Sequence, residues 1–363
     1  MAGEAVVDAS LRILVLADAR SFHTERFAAQ LRLQGYSVLL ASLEQGDIEC
    51  HQITRRGPIS FLHYLFAIGQ VRKLIKEFAP NIVNAHFATG YGFLASLAVG
   101  KSGLPIVLNL WGSDVFVVPK TSALHRTKLT MAIDSADLVC ADSGYLLDQA
   151  RRYREPREAA VIPWGIEREH LALYKPVRAI GTPLRIIVPR HHEPVYNNEF
   201  ILRALVPLLK DGIATLTIPN WGRGIASFRK RANDLGCGGI TFYSRMSRPE
   251  FLGMMSEHDI YVSAASTDSS PVSLIEAMAL GLIPIVADIP GIAEWLTPQN
   301  GFLFPSGDDS RLRECLERIQ KIDLSVLRRE NHERVRRDAI FEENIAWQIA
   351  LMKKCIAKGR ELS

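Results

Sequence analysis

Short apolar runs that break off into polar residues alternate along this chain with longer segments whose apolar positions fall three and four apart. The first run, LRILVLAD (Leu11 to Asp18), has the continuous apolar character of a parallel strand buried on both faces. A helix-patterned stretch follows, HTERFAAQLRLQG, closed by Gly35, and then a second strand, YSVLLAS. The alternation continues through helix FLHYLFAIGQVRKLIKEF, strand NIVNAH, helix GYGFLASLAVGKSG and strand PIVLNLWG. After a further helix come strand ADLVCAD, helix SGYLLDQARRY and strand AAVIPWG. Repeated strand-helix-strand order predicts a parallel, doubly wound sheet.

The register then restarts. LALYKPVRAIGTP (171–183) holds two prolines and a glycine without periodicity, as a linker would. Beyond it LRIIVPR, ATLTIPN, GITFYS, DIYVSAA and LIPIVAD alternate with helical segments, and GFLFPSGD ends the second series. A charged helical segment closes the chain with IFEENIAWQIALMKKCI. The expected architecture is α/β: two Rossmann-like domains, 1–175 and 176–335, and a helical tail, 336–363. Ligands of open parallel sheets bind beyond the carboxyl ends of the strands. The functional motifs are therefore expected just after strands, in a cleft where two sets of strand ends face each other.

Composition narrows the class. The 363 residues are 48% hydrophobic and 23% charged, and 43 basic against 39 acidic residues leave a net charge of only +4. Small basic clusters, Arg151-Arg152 and Arg334 to Arg337, read as solvated helix faces, and nucleic acid is not an expected partner. Five dispersed cysteines without CxxC spacing argue against a disulfide framework and a zinc site. MAGEAVVDAS lacks the form of a signal peptide, and no uncharged run reaches the roughly 18 residues of a membrane span, so a cytoplasmic location is expected. FLHYLFAIGQVRKLIKEF is apolar on one side and basic toward its end, which suits either a cover for the sheet or a peripheral membrane contact.

The chemistry concentrates between Asp268 and Gly291, where Asp268 and Ser269 lead into SPVSLIEAMALGLIPIVADIPG (270–291). Ser270-Pro271 is a helix start, with Ser270 as N-cap and Pro271 at the first helical position. Unpaired N–H groups of Val272 and Ser273 then form an anion site suited to phosphate. Asp268 lies just before it, and Glu276, between Ile275 and Ala277, can accept two hydrogen bonds from a diol such as ribose. The alternative is a loop acid and a solvent-facing glutamate, which the scarcity of polar positions on this helix disfavours. In the other half, GYGFLA (Gly90 to Ala95) has the G-x-G-x-x-A form of a dinucleotide fingerprint, with Asp114 at about the expected spacing. That leaves an NAD-dependent dehydrogenase as an alternative, although the fingerprint normally follows the first strand.

The stretch from Asp268 to Glu276 resembles the E-x7-E signature of the retaining family-4 glycosyltransferases of GT-B fold, followed by a run similar to their E-A-M-A-x-G-x-P-[IV]-V-A, here EAMALGLIPIVA, with two residues, Leu282 and Ile283, between glycine and proline. PGIAEWL, NGFLFPSGD, SFHTERFAAQL, NAHFATGYGFLA, LWGSDV, VIPWGI and PRHHEPVYNN extend the likeness over nearly the whole chain. The resemblance implies sugar transfer with retention from a nucleotide diphosphate donor, UDP-linked by expectation, to a glycan or lipid-linked acceptor of surface polysaccharide synthesis. It implies no metal and no other cofactor, and a tail helix around Trp347 that docks on the first domain, with domain closure during turnover. Residue by residue, Arg190 fits the diphosphate-binding arginine. Glu276 fits the ribose-binding acid, Asp268 the sugar-binding acid, and Ser270, Val272 and Ser273 the phosphate-facing helix start. The loop of Arg245 and Met246 fits the reader of the base edge, and Trp221 is placed to line the nucleotide pocket. Arg20, His23 and Trp111 fall on acceptor-facing loops, with His86 and Asp114 as the polar groups near the reacting centre. Three positions depart from the pattern. Asp268 stands for a glutamate, Tyr196 with Asn197 beside it for a lysine, and Trp111 for a histidine. A non-catalytic sugar-nucleotide-binding subunit is the rival reading.

Overall fold

The computed structural model describes residues 11–46, 48–53, 60–100, 102–175 and 180–361, the side chains of 60–65 and 359–361 excepted. Contacts divide the chain into two compact units, Met1–Ile162 with Glu342–Ser363, and Pro163–Phe341. The first holds a seven-stranded sheet made of β1 (Arg12–Leu16), β2 (Ser37–Ser42), β3 (His51–Gln52), β4 (Ile82–His86), β5 (Ile106–Asn109), β6 (Leu138–Ala141) and β7 (Ala159–Val161). Their order is β3-β2-β1-β4-β5-β6-β7, every pairing parallel. The two-residue edge strand β3 has no hydrophobic pattern and is invisible to sequence reading. All five residues of β4 are buried, as expected of a central strand covered on both faces.

The second unit carries β8 (Leu184–Ile187), β9 (Ala214–Pro219), β10 (Ile240–Tyr243), β11 (Ile260–Ser263), β12 (Ile283–Ala287) and β13 (Phe302–Phe304). Their order is β10-β9-β8-β11-β12-β13, again all parallel. One continuous core built on Ile186, Leu216, Tyr261, Ile275 and Ile285 covers this sheet. Both sheets are thus the α/β doubly wound kind that the alternation predicts.

The boundaries differ from those expected. Residues 163–175 belong with the second unit, because the segment around Gly165 and the segment before Phe341 pair with each other. Ile166 N–H donates to Ala339 O (3.0 Å) and Phe341 N–H to Ile166 O (2.9 Å). A Cβ on Gly165, whose φ is +65°, would lie 2.2 Å from Ala339 O. The closing helix, Phe341–Glu361, joins the first unit through a buried amide chain. Gln348 Nε2 donates to Asn109 Oδ1 (2.5 Å), and Asn109 Nδ2 to Asn84 Oδ1 (2.8 Å).

The helix Ser60–Phe78 buries Ala67, Val71 and Leu74 in the core, and Arg72 donates to Leu97 O and Ala98 O. The side chains of its first turns, the most apolar part of the expected membrane contact, lie outside the described residues, as do 1–10 and 176–179 of the linker. Among the described residues no helix is long and apolar enough to cross a membrane.

Candidate active site

In the second unit the polar side chains converge on loops that follow strands. The helix after β11 runs Val272–Leu280, one residue shorter at its start than expected. Pro271, with ψ of 111°, stands just outside it, and its carbonyl accepts from Leu274 (2.9 Å) and Ile275 (3.2 Å). Ser270 is therefore not the N-cap. Its Oγ accepts from Trp295 Nε1 at 2.8 Å, which ties the loop to the core. No side chain caps the helix, so the N–H groups of Val272 and Ser273 are left at its positive end. Ser273 Oγ shares a hydrogen bond with the buried Tyr261 hydroxyl (3.1 Å).

Asp268 and Arg190, the latter from the loop after β8, form a close ion pair with 19% and 17% of their side chains exposed. Burial works against the Arg190 charge, but Asp268, with Tyr261 and Tyr196, more than offsets it, and the guanidinium stays charged well above its ordinary range. Its face lies 5.1 Å from the Tyr196 ring centroid, and Nε is buried without a hydrogen-bond partner among the described residues. A Cβ on Gly291 would meet Asp268 O at 2.0 Å, so only glycine lets that loop pass. Asn197 takes a left-handed φ of 48°, and its amide donates to Ala264 O (3.0 Å). That bond straps the β8 loop to the β11 loop and uses one of the amide's two N–H groups.

Glu276 is 4% exposed and points inward; the solvated-face alternative is wrong for it. Its Oε1 accepts from Arg248 Nη1 at 2.5 Å, and Arg248 Nε donates to Glu167 Oε2 at 2.7 Å. Arg245 and Met246 are exposed after β10, and the Arg245 guanidinium lies 5.5 Å over the Trp221 ring. Trp221 also meets Tyr243 edge-on (5.4 Å).

The first unit presents a different chemistry at its strand ends. Asp114 is fully buried and accepts the N–H groups of Ala88 (2.7 Å) and Trp111 (3.0 Å). Burial pushes its carboxyl up to about 6, with those backbone donors pulling the other way. It clasps two loops from the inside. His86, 1% exposed, accepts from Trp111 Nε1 at Nδ1 (3.1 Å), and burial pushes it down to about 3. It is a neutral core imidazole. Both side chains are therefore interior, with Asp114 engaged through both oxygens and His86 through Nδ1. Half-buried His23 and Trp111 stand ring edge to ring face at 5.7 Å, and Arg20 bridges Asp18 (2.8 Å) and Glu44 (3.6 Å) at the surface. GYGFLA is not a phosphate loop. Its glycines fall in a π-helix, Phe87–Gly92, which Phe87 enters at φ +70°. Gly92 is small because a Cβ there would meet Leu108 Cδ1 at 2.6 Å.

Residues 12–143 match the family described as "Glycosyl transferase 4-like", and residues 182–321 match "Glycosyl transferases group 1". This chain belongs to the family-4 type of GT-B glycosyltransferases. A Bacillus subtilis protein named for teichuronic acid biosynthesis, TuaC, is 23% identical over 252 residues, 68% of this chain and 62% of its own length. The amylovoran biosynthesis glycosyltransferase AmsK of Erwinia amylovora is 26% identical over 353 residues, 92% of this chain and 83% of its own. The Anabaena protein HepE, solved with UDP and glucose, superposes with a TM-score of 0.76 at 16% identity, over 95% of this chain and 99% of its own.

For this glycosyltransferase, sequence reasoning missed Arg248 and Glu167, which carry no motif and meet Glu276 only in three dimensions. It also missed His192, whose Nε2 bonds Pro219 O (2.9 Å), and Gly222, where a Cβ would lie 2.4 Å from His192 N. Together they lock the β9 loop to the β8 loop. His192, Pro194 and Asn197 also line a cavity of about 710 Å³ with Arg203, Arg223 and Phe304. None of Arg190, Asp268 and Glu276 lines it.

Proposed function

We propose that the second unit binds a nucleotide diphosphate sugar, UDP-linked, and that the chain transfers the sugar with retention to a glycan or lipid-linked acceptor in polysaccharide synthesis. One observation carries the reading: a buried carboxylate, Glu276, sits in the second turn of a helix whose start is uncapped, with the Arg190–Asp268 pair on the neighbouring loops. A diol on Glu276 places the phosphates of the same nucleotide toward the N–H groups of Val272 and Ser273 and the Arg190 guanidinium. Arg190 and the helix dipole then meet the charge that grows on the departing diphosphate, the term that dominates such transfers, and no bound cation is needed for that task. Asp268, released from Arg190 as the phosphates arrive, turns to the sugar hydroxyls. Tyr196 offers a neutral hydroxyl where relatives of this type place a lysine.

With His86 and Asp114 interior, the departing phosphate is the group left to take the acceptor's proton. Trp111 and His23 form an apolar wall suited to the face of a sugar ring, and Arg20 adds charge beside it. A cytoplasmic setting suits such donors. HepE's complex with UDP and glucose, and the names of TuaC and AmsK, support the donor and pathway class.

The test is a thermal-shift panel of UDP, GDP, ADP, TDP, CMP and NAD on wild type and Glu276→Ala. A nucleotide at 100 times its dissociation constant stabilises by about 2.7 kcal/mol. A shift by UDP that Glu276→Ala abolishes supports the reading. A shift by NAD alone sinks it. Slow hydrolysis of a bound UDP-sugar separates the enzyme from a non-catalytic binding subunit, which would show none.

A further inference from the structure

We propose that Arg248 is the positioning residue of the ribose site, holding Glu276 so that its second oxygen faces the nucleotide's vicinal diol. The inference rests on the reading of Glu276 given above. Arg248 is the first residue of the helix Arg248–Ser256, whose start is already capped by Ser247 and Glu250. A cation there opposes the helix dipole. Nothing in the helix calls for it. What holds it is a pair of carboxylates: Nη1 donates to Glu276 Oε1 at 2.5 Å and Nε to Glu167 Oε2 at 2.7 Å. Two charge-assisted bonds outweigh the opposing dipole.

The geometry also says what the site accepts. One carboxylate oxygen of Glu276 is spoken for, which leaves Oε2 as the remaining acceptor. Glu167, which also faces His170 (Nδ1 to Oε2, 3.4 Å), and Glu276 both turn carboxylate oxygens to this guanidinium, so the oxygen left on Glu276 calls for a hydrogen-bond donor and not for an anion. A vicinal diol is such a donor, and a phosphate is not. Arg248 is 12% exposed, Glu276 4% and Glu167 17%, so solvent screens the cluster little, and removing the cation would leave Glu276 buried without a counter-charge and free to turn. Glu167 completes the arrangement from the segment just past the unit boundary.

A merely structural ion pair would fasten one helix to another without reading the ribose, and the two roles separate by titration calorimetry. The probes are UDP, or whichever nucleoside diphosphate of the panel binds more tightly, and its 2′,3′-dideoxy form. Wild type is expected to prefer the ribonucleotide by about tenfold or more. Arg248→Met should bring that preference close to unity, as Glu276→Ala does, while affinity for the dideoxy form stays within about twofold. Arg248→Lys, which reaches one carboxylate but lacks the fork, should restore part of the preference, and it guards against a methionine variant that fails to fold. A folded Arg248→Met or Arg248→Lys protein that keeps the full wild-type preference would overturn Arg248's role and leave Glu276's intact. Equal binding of both forms by wild type would remove the ribose reading itself, and Arg248's role with it.

Discussion

At the residue scale, the two groups first expected to serve the acceptor turn out to titrate in opposite senses. Asp114 moves from 3.8 to about 6 on folding, so its contribution to stability is fully present below pH 3.8 and is lost as pH rises through 6. His86 moves from 6.5 to about 3, so its contribution is present above pH 6.5 and is lost as pH falls toward 3. Between about pH 6 and 4 the two slopes offset each other. Asp114→Asn removes the compensating slope. Its urea midpoint should fall more steeply than wild type's between pH 6 and 4, by about 1.4 kcal/mol per pH unit in stability. Parallel pH profiles for the two proteins would contradict this assignment. The same substitution turns an amide N–H₂ toward a backbone donor, so it should also cost about 1–3 kcal/mol at pH 7. Arg190→Met should lower stability, because it leaves the largely buried Asp268 without its counter-charge, and should also lower kcat/KM by about 10²–10³, read with the tightest-binding UDP-sugar as donor.

At the element scale, strands and helices were legible because a parallel sheet covered on both faces needs continuous apolar runs, and IVNAH and LIPIVAD have them. What the chain order hides is what two elements do to each other. Ser270 has the chemistry of an N-cap, yet Trp295, twenty-five residues on, takes its hydroxyl, and the helix starts after Pro271. Glycines in a row mimic a phosphate loop at GYGFLA, but Gly92 is there to clear Leu108. Motif order singles out Arg190, Asp268 and Glu276, whereas Arg248 carries no local signature. Gly291 belongs to the same class of hidden requirement. Its would-be Cβ meets backbone, not a flexible side-chain end, so Gly291→Ala must displace the Asp268 turn. Gly291→Ala should lower both the melting temperature and UDP affinity, the first read by calorimetry and the second by titration.

On the scale of the whole molecule, the chain crosses from one unit to the other twice and its last helix returns to the first. The crossings pair through Ile166 with Ala339 and Phe341, and the returning helix is registered by the buried chain of Gln348, Asn109 and Asn84. Gln348→Ala strands the Asn109 carbonyl and should cost about 1–3 kcal/mol, seen as a lower unfolding midpoint with UDP binding by the second unit unaffected. The proposed reaction, cleavage of a nucleotide sugar with retention, gives the donor to Arg190 and Glu276 of the second unit and a sugar-facing aromatic wall to the first. The most direct test is time-resolved proton NMR of the slow hydrolysis of the tightest-binding α-linked UDP-sugar, by wild type and by Glu276→Ala. The α-anomer of the free sugar is expected to appear first with wild type, and its release should nearly stop in the variant. First appearance of the β-anomer, or equal cleavage by both proteins, would contradict the proposed reaction.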